Sequence, residues 1–190
     1  MWRTMNKQQS LTLDAAGVVK QARFIASPNF DQRPAEGGTV ELLVIHNISL
    51  PPQQYGGNGI IELFTNQLDP DEHPYYREIH HLRVSSHFLI RRDGELIQFV
   101  PCSQRAWHAG QSSWNNRQRC NDFSIGIELE GSDFDAFTDD QYRQLSQLTQ
   151  RLQQHYPIQD IQGHSDIAPG RKTDPGPCFD WARYRAALAR

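Results

Sequence analysis

The chain has 190 residues, with 19 basic and 22 acidic side chains and a formal charge of −3. That length suits one domain able to bury a core without staples, and the near-balance of charge argues against nucleic acid or an anionic membrane held by bulk charge. Cys102, Cys120 and Cys178 are odd in number and lack CxxC spacing, so a disulfide framework is not expected and a reducing compartment is.

The first 24 residues include Lys7, Asp14, Lys20 and several glutamines, with no long apolar run. They lack the apolar region of a secretion signal, and no stretch approaches the ~20 apolar residues of a membrane span, so a cytoplasmic protein is expected. Residues 1–34 are polar and are expected to lie across the surface, with residues 1–26 an extension packed on a domain of residues 27–190. Residues 40–45, VELLVI, have a continuous apolar core and β-branched residues, which predict a strand buried on both faces and ending at His46-Asn47. A Pro- and Gly-rich loop follows, then a short helix over residues 60–67. Residues 69–83 contain Pro70, Pro74 and paired histidines and read as a long loop.

Residues 84–90 and 95–100 are strand-like, and Asp93-Gly94 between them signals a hairpin, because glycine accepts the positive φ such turns need. Residues 124–130, SIGIELE, alternate: Ile125, Ile127 and Leu129 face one way, and Ser124, Gly126, Glu128 and Glu130 the other. Residues 138–156 carry the clearest helix pattern. Thr138 and Gln141 suit a capping box, Pro157 stops the helix, and Tyr142, Leu145, Leu148, Leu152 and Tyr156 form its buried stripe. A short strand over residues 160–164 and a helix over residues 179–188 close the chain. Strands interleaved with helices, one hairpin included, predict a single α/β (α+β) domain with a central mixed sheet flanked by helices.

Of eight histidines, His73, His80, His81 and His155 lie in polar contexts and read as surface groups, while His87 reads as a satisfied core position. His46 and His164 each end a strand-like run and enter a turn-rich loop, where scaffolded polar residues usually serve a site. Residues 163–177, GHSDIAPGRKTDPGP, place His164, Asp166, Lys172 and Asp174 in a loop stiffened by Pro and Gly. His46, His164 and Asp174 would give three ligands and an open fourth position, as in catalytic zinc sites. Spacing alone leaves this open against a structural polar loop.

His46-Asn47-Ile48-Ser49, WHAG at residues 107–110, NDFSIGIELEG at residues 121–131 and GHSDIAPGRKTDPGP occur in this order. Together they resemble the cytoplasmic N-acetyl-anhydromuramyl-L-alanine amidases, a group related to phage zinc-amidase lysozymes and peptidoglycan-recognition proteins. The similarity spans about residues 27–188. It implies an amidase fold with Zn2+ held by His46, His164 and Asp174, Cys178 being the rival third ligand. It also implies Glu128 as acid/base residue and Lys172 as transition-state stabiliser; on residue pattern alone, Glu130 shares the face of Glu128 and is an equal candidate.

The resemblance further implies a small-molecule muropeptide substrate, cut between the lactyl group and L-alanine; nothing in the surface pattern forces a dimer, and a monomer without nucleic-acid or membrane partners is expected. Asn47, Arg83 and Arg119 match substrate-binding positions, and Trp107 and His108 border the site. Arg91, Arg92 and Arg117 are nearby alternatives. An exported amidase of polymeric peptidoglycan and a non-catalytic recognition module are the competing readings.

Overall fold

The apolar run near residue 40 becomes a strand in the middle of a sheet, because both of its faces can be buried only there. The computed structural model describes residues 10–189. Its strands are β1 (Arg23–Phe24), β2 (Phe30–Gln32), β3 (Leu42–Ile48), β4 (Phe88–Ile90), β5 (Leu96–Gln98), β6 (Gln104–Ala106), β7 (Ser113–Trp114), β8 (Arg117–Gln118), β9 (Ser124–Glu130) and β10 (Asp160–Gly163). The helices are α1 (Gly59–Phe64), α2 (Pro74–Ile79), α3 (Asp139–His155), α4 (His164–Ile167) and α5 (Trp181–Leu188), and a single 3-10 turn spans Cys120–Asp122.

Six strands form the main sheet in the order β1-β5-β4-β9-β3-β10. The β4–β5 hairpin is antiparallel and every other pairing in this sheet is parallel, which makes the expected mixed sheet. Gly94 turns the hairpin at φ +87°, as Asp-Gly implies. Strand β3 runs three residues further than expected, and its pairing with β9 continues through His46↔Glu128 to Ile48↔Glu130. Burial, not pairing, gives out at Asn47.

The two faces of the sheet do different work. Leu43 and Ile45 of β3, Ile125, Ile127 and Leu129 of β9, and Phe88 and Ile90 of β4 pack against Tyr142, Leu145, Leu148 and Leu152 of α3. On the opposite face Leu89 and Ile97 pack with Ile60, Leu63, Phe64 and Tyr76 of α1 and α2. Leu42 and Val44 share that face with Ala109, Phe123 and Ile167 of α4. Strand periodicity therefore puts His46, Glu128 and Glu130 on the second face. Every residue of β9 is buried, because loops and the site cover the polar face that its alternation would otherwise leave wet.

Two local expectations need correction. Residues 69–83 contain α2, because Pro74 occupies the first helical turn, where a missing N–H costs nothing, and His73 caps it by accepting from the Tyr75 amide. Residues 84–87 lie outside β4, where Ser85 instead donates its amide to the Trp107 carbonyl. The expected behaviour of residues 1–9 lies outside the described residues, but Leu11 and Val19 enter the α3-side core and β1 pairs with β5.

Helix α3 begins with the capping box of Thr138 and Gln141. The buried Gln141 side chain also donates to the carbonyls of Ile90 (3.2 Å) and Glu130 (2.9 Å), tying the helix to the ends of β4 and β9. Gln141→Leu should strip three partners at once and cost about 2–4 kcal/mol. Urea unfolding should then show a lower midpoint with an unchanged slope.

Candidate metal centre and active site

His46 and His164 lie at the carboxyl ends of adjacent parallel strands, each one residue beyond the pair Gly163↔Ile45. That is where open α/β sheets present functional groups. Asp174 comes from the rigid loop after α4, whose Asp174 carbonyl accepts the Ser165 amide at 2.9 Å. His46 Nδ1 lies 3.0 Å from His164 Nδ1 and 2.9 Å from Asp174 Oδ2, and His164 Nδ1 lies 3.1 Å from the same oxygen. The three form a group of buried or half-buried side chains able to hold a metal ion.

Tautomer chemistry tests the fit. His164 Nε2 faces the Ala109 carbonyl at 3.1 Å. A carbonyl only accepts, so Nε2 carries the hydrogen and Nδ1 presents a lone pair to the cluster. Ala109 O also accepts from Arg171 Nη2 at 2.7 Å, which fixes it in place. Edges of 2.9–3.1 Å put all three donor atoms within reach of one ion with bonds of roughly 2.0–2.1 Å. Burial pushes His46 down to about 4, keeping it neutral. Imidazole lone pairs and a carboxylate oxygen are what metal ligation needs.

Glu128 pairs with His46 across β3 and β9 and is 8 % exposed. Its Oε2 is buried with no hydrogen-bond partner among the described residues. Burial, then the nearby Asp174 charge, raises the carboxyl well above its ordinary value, with Lys172 opposing. Glu130 is different. Its oxygens accept from the Gly56 amide (2.7 Å), Arg91 Nη1 (3.1 Å) and the Arg92 amide (3.2 Å), so it is consumed in holding β4, β9 and the loop before α1. Contacts from outside β9 thus separate two carboxylates that residue pattern leaves equal.

A cavity of about 350 Å³ opens at the cluster. It brings together His46, Asn47, Trp107, His108, Glu128, His164, Lys172 and Asp174. Asn47 donates to Asp133 (2.8 Å) and to the Pro175 carbonyl (3.0 Å), so it also braces the ligand loop. Arg83 and Arg119 are not among the lining residues. Arg83 is exposed and turns to the carbonyls of His80 and Leu82, while Arg119 lies in a neighbouring groove and pairs with Asp122 at 3.3 Å. Most of the remaining wall is apolar, with Leu63, Phe64, Tyr75, Ile79 and Val84, which residue pattern did not mark because they belong to helices α1 and α2 and the strand-like run before β4. Arg91 is absorbed by Glu130 and Arg117 by Glu41. Cys178 is not part of the metal-competent group.

A family profile described as N-acetylmuramoyl-L-alanine amidase matches residues 36–177. The chain belongs to that amidase family. The 1,6-anhydro-N-acetylmuramyl-L-alanine amidase AmpD of Salmonella typhimurium (strain SL1344) is 57% identical over 175 residues, covering 91% of this chain and 93% of that protein. A crystal structure of a Se-Met AmpD derivative matches with a TM-score of 0.90 and 57% identity, over 93% of this chain and 99% of that one. The amidase AmiD from E. coli, in complex with the substrate anhydro-N-acetylmuramic acid-L-Ala-D-gamma-Glu-L-Lys, matches at a TM-score of 0.58 and 27% identity, over 94% of this chain and 65% of that one. The mixed sheet flanked by helices is therefore the amidase fold.

The two carboxylates of β9 should respond oppositely to neutralisation. Glu130→Gln removes the nearer and more buried counter-charge of Arg91, 8 % exposed, leaves it only Glu95 at 3.7 Å, and should cost about 3 kcal/mol. Glu128→Gln removes a desolvated carboxyl and should leave the unfolding midpoint of the metal-free protein unchanged or raised. Parallel denaturant titrations of the two variants check the difference.

Proposed function

We propose that this amidase is zinc-dependent and cuts the amide between the lactyl group of 1,6-anhydro-N-acetylmuramic acid and L-alanine in soluble muropeptides. The observation that carries the reading is Glu128: a buried carboxyl with a free oxygen, beside the convergent lone pairs of His46, His164 and Asp174. The names of the similar AmpD proteins and the anhydromuropeptide held by the AmiD relative support the substrate class.

Zinc held by His46, His164 and Asp174 would supply Lewis-acid polarisation of the amide carbonyl and a water acidic enough to react near neutral pH. Glu128 takes the proton of the attacking water on Oε2 and returns it to the departing alanine nitrogen. A carboxyl raised by burial is suited to both halves of that transfer. Lys172, exposed but on the cavity lining, offers its ammonium to the oxyanion that forms as the carbonyl is attacked. Trp107, His108 and Asn47 border the place where the sugar and first peptide bond lie. Arg83 and Arg119, outside the cavity lining, are assigned to the stem-peptide carboxylates on the resemblance alone, a guanidinium fork being well shaped for them.

Among the described residues no helix is long and apolar enough to cross a membrane. The reading is of a monomer acting in the cytoplasm on released fragments, in the turnover of wall material. Its three unpaired cysteines, two of them buried, accord with a reducing compartment.

Two sets of assays test this. Glu128→Ala should keep bound zinc and the fold while kcat falls by about 10²–10⁴-fold, whereas His164→Ala should lose the metal. Turnover of Glu128→Ala within a few-fold of wild type would remove Glu128 from its role. Separately, release of peptide from soluble anhydro-muropeptide should far exceed release from intact sacculi. Equal rates on both would favour a wall-polymer enzyme.

A further inference from the structure

His164 owes its tautomer to a backbone carbonyl, but among the described residues no carbonyl bonds to the far side of His46. Its Nε2 instead meets His108 Nδ1 at 2.9 Å. The other nitrogen of that ring, Nε2, lies 3.1 Å from Ser124 Oγ, and Ser124 Oγ lies 2.6 Å from the Cys120 carbonyl. We infer that His108 and Ser124 form a proton-ordered relay that holds His46 in the one tautomer able to ligate the metal. The inference rests on the zinc reading above and deepens it.

The direction of the relay follows from counting hydrogens. The Cys120 carbonyl only accepts, so the single hydroxyl hydrogen of Ser124 points to it. Ser124 Oγ then has only lone pairs for His108, and His108 Nε2 must carry a hydrogen. A neutral ring has one such hydrogen, so His108 Nδ1 accepts, and His46 Nε2 donates to it. His46 Nδ1 is left with a lone pair aimed at His164 and Asp174. The reversed order would put the hydrogen of His46 on Nδ1, where the ion belongs. It would also leave Ser124 and Cys120 with two facing oxygens and no proton at 2.6 Å.

The surroundings are built for this ring. A Cβ on Gly126 would stand 2.5 Å from His108 Cγ, so the glycine in the middle of β9 is the seat of the imidazole. The Gly126 amide is taken by His87 Nδ1 at 3.0 Å and does not compete for His108. Asn121 Oδ1 accepts from the amides of both His108 (3.1 Å) and Ala109 (2.8 Å). One side chain therefore clamps the two adjacent residues that orient the two ligand histidines. The polar face of β9 reads in order as Ser124 anchoring the relay, Gly126 seating its ring and Glu128 facing the reaction. His108 and Ser124 are positioning residues: they act through His46.

Nitrogen-15 imidazole spectra of the zinc-loaded protein read the tautomer directly, with His108 expected to be protonated on Nε2 and bare on Nδ1. Zinc affinity, measured by competition with a chromophoric chelator, should fall about 10–100-fold in His108→Phe and by the lower part of that range in Ser124→Ala. Ser124→Thr, which keeps the hydroxyl, should restore the affinity. A role confined to packing would lower the melting point of the metal-free variants and leave their zinc affinity unchanged. Protonation of His108 on Nδ1 in the zinc-loaded wild type, or wild-type zinc affinity in both His108→Phe and Ser124→Ala, would overturn the relay. Wild-type protein that takes up no zinc would overturn the zinc reading and the relay with it.

Discussion

Two imidazole nitrogens and a carboxylate oxygen, 2.9–3.1 Å apart and largely out of water, repel one another unless positive charge lies among them. Holding them together is the constraint around which this end of the sheet is organised. Two adjacent parallel strands set the spacing of His46 and His164, and a loop made rigid by Pro169, Gly170, Pro175 and Gly176 returns Asp174 to the same point. A backbone carbonyl and a second imidazole lie behind the two histidines. Such a group gains by binding a cation and cannot gain by collapsing on itself.

The sheet separates support from chemistry by strand period alone. Odd positions of β9 supply apolar bulk to α3, and even positions supply a hydroxyl, a gap and a carboxyl to the site. The cost of burying Glu128 without a partner falls on that same polar face, while Glu130, two residues away, is satisfied by Arg91 and two amides. Stability and reactivity are thus assigned to neighbouring carboxylates of one strand, and the difference comes entirely from what other elements bring to them.

Much of this was legible in the chain of residues, for reasons that are local. Asp93-Gly94 demands a hairpin, Thr138 with Gln141 demands a helix start, and the apolar core of VELLVI demands a buried strand. The gathering of His46, His164 and Asp174 was legible through the ordered motifs that resemble the amidases, and spacing alone left it open. Helix α2 was not legible, because Pro74 reads as a breaker until its place in the first turn is known. The choice between Glu128 and Glu130 was not legible from alternation, since the deciding groups come from Arg91, Arg92 and Gly56, distant in sequence. Support through the Ala109 carbonyl had no signature at all, as every residue carries a carbonyl.

The central claim is that the His46, His164 and Asp174 cluster binds the ion that makes this amidase work on soluble wall fragments. The most direct measurement is mass spectrometry of purified protein incubated with anhydro-N-acetylmuramyl-tripeptide, before chelation, after chelation and after zinc is restored. The account predicts free anhydro-sugar and free peptide in the first and third samples and intact substrate in the second. Cleavage that persists with the metal removed, or intact substrate from protein shown to carry zinc, would contradict it.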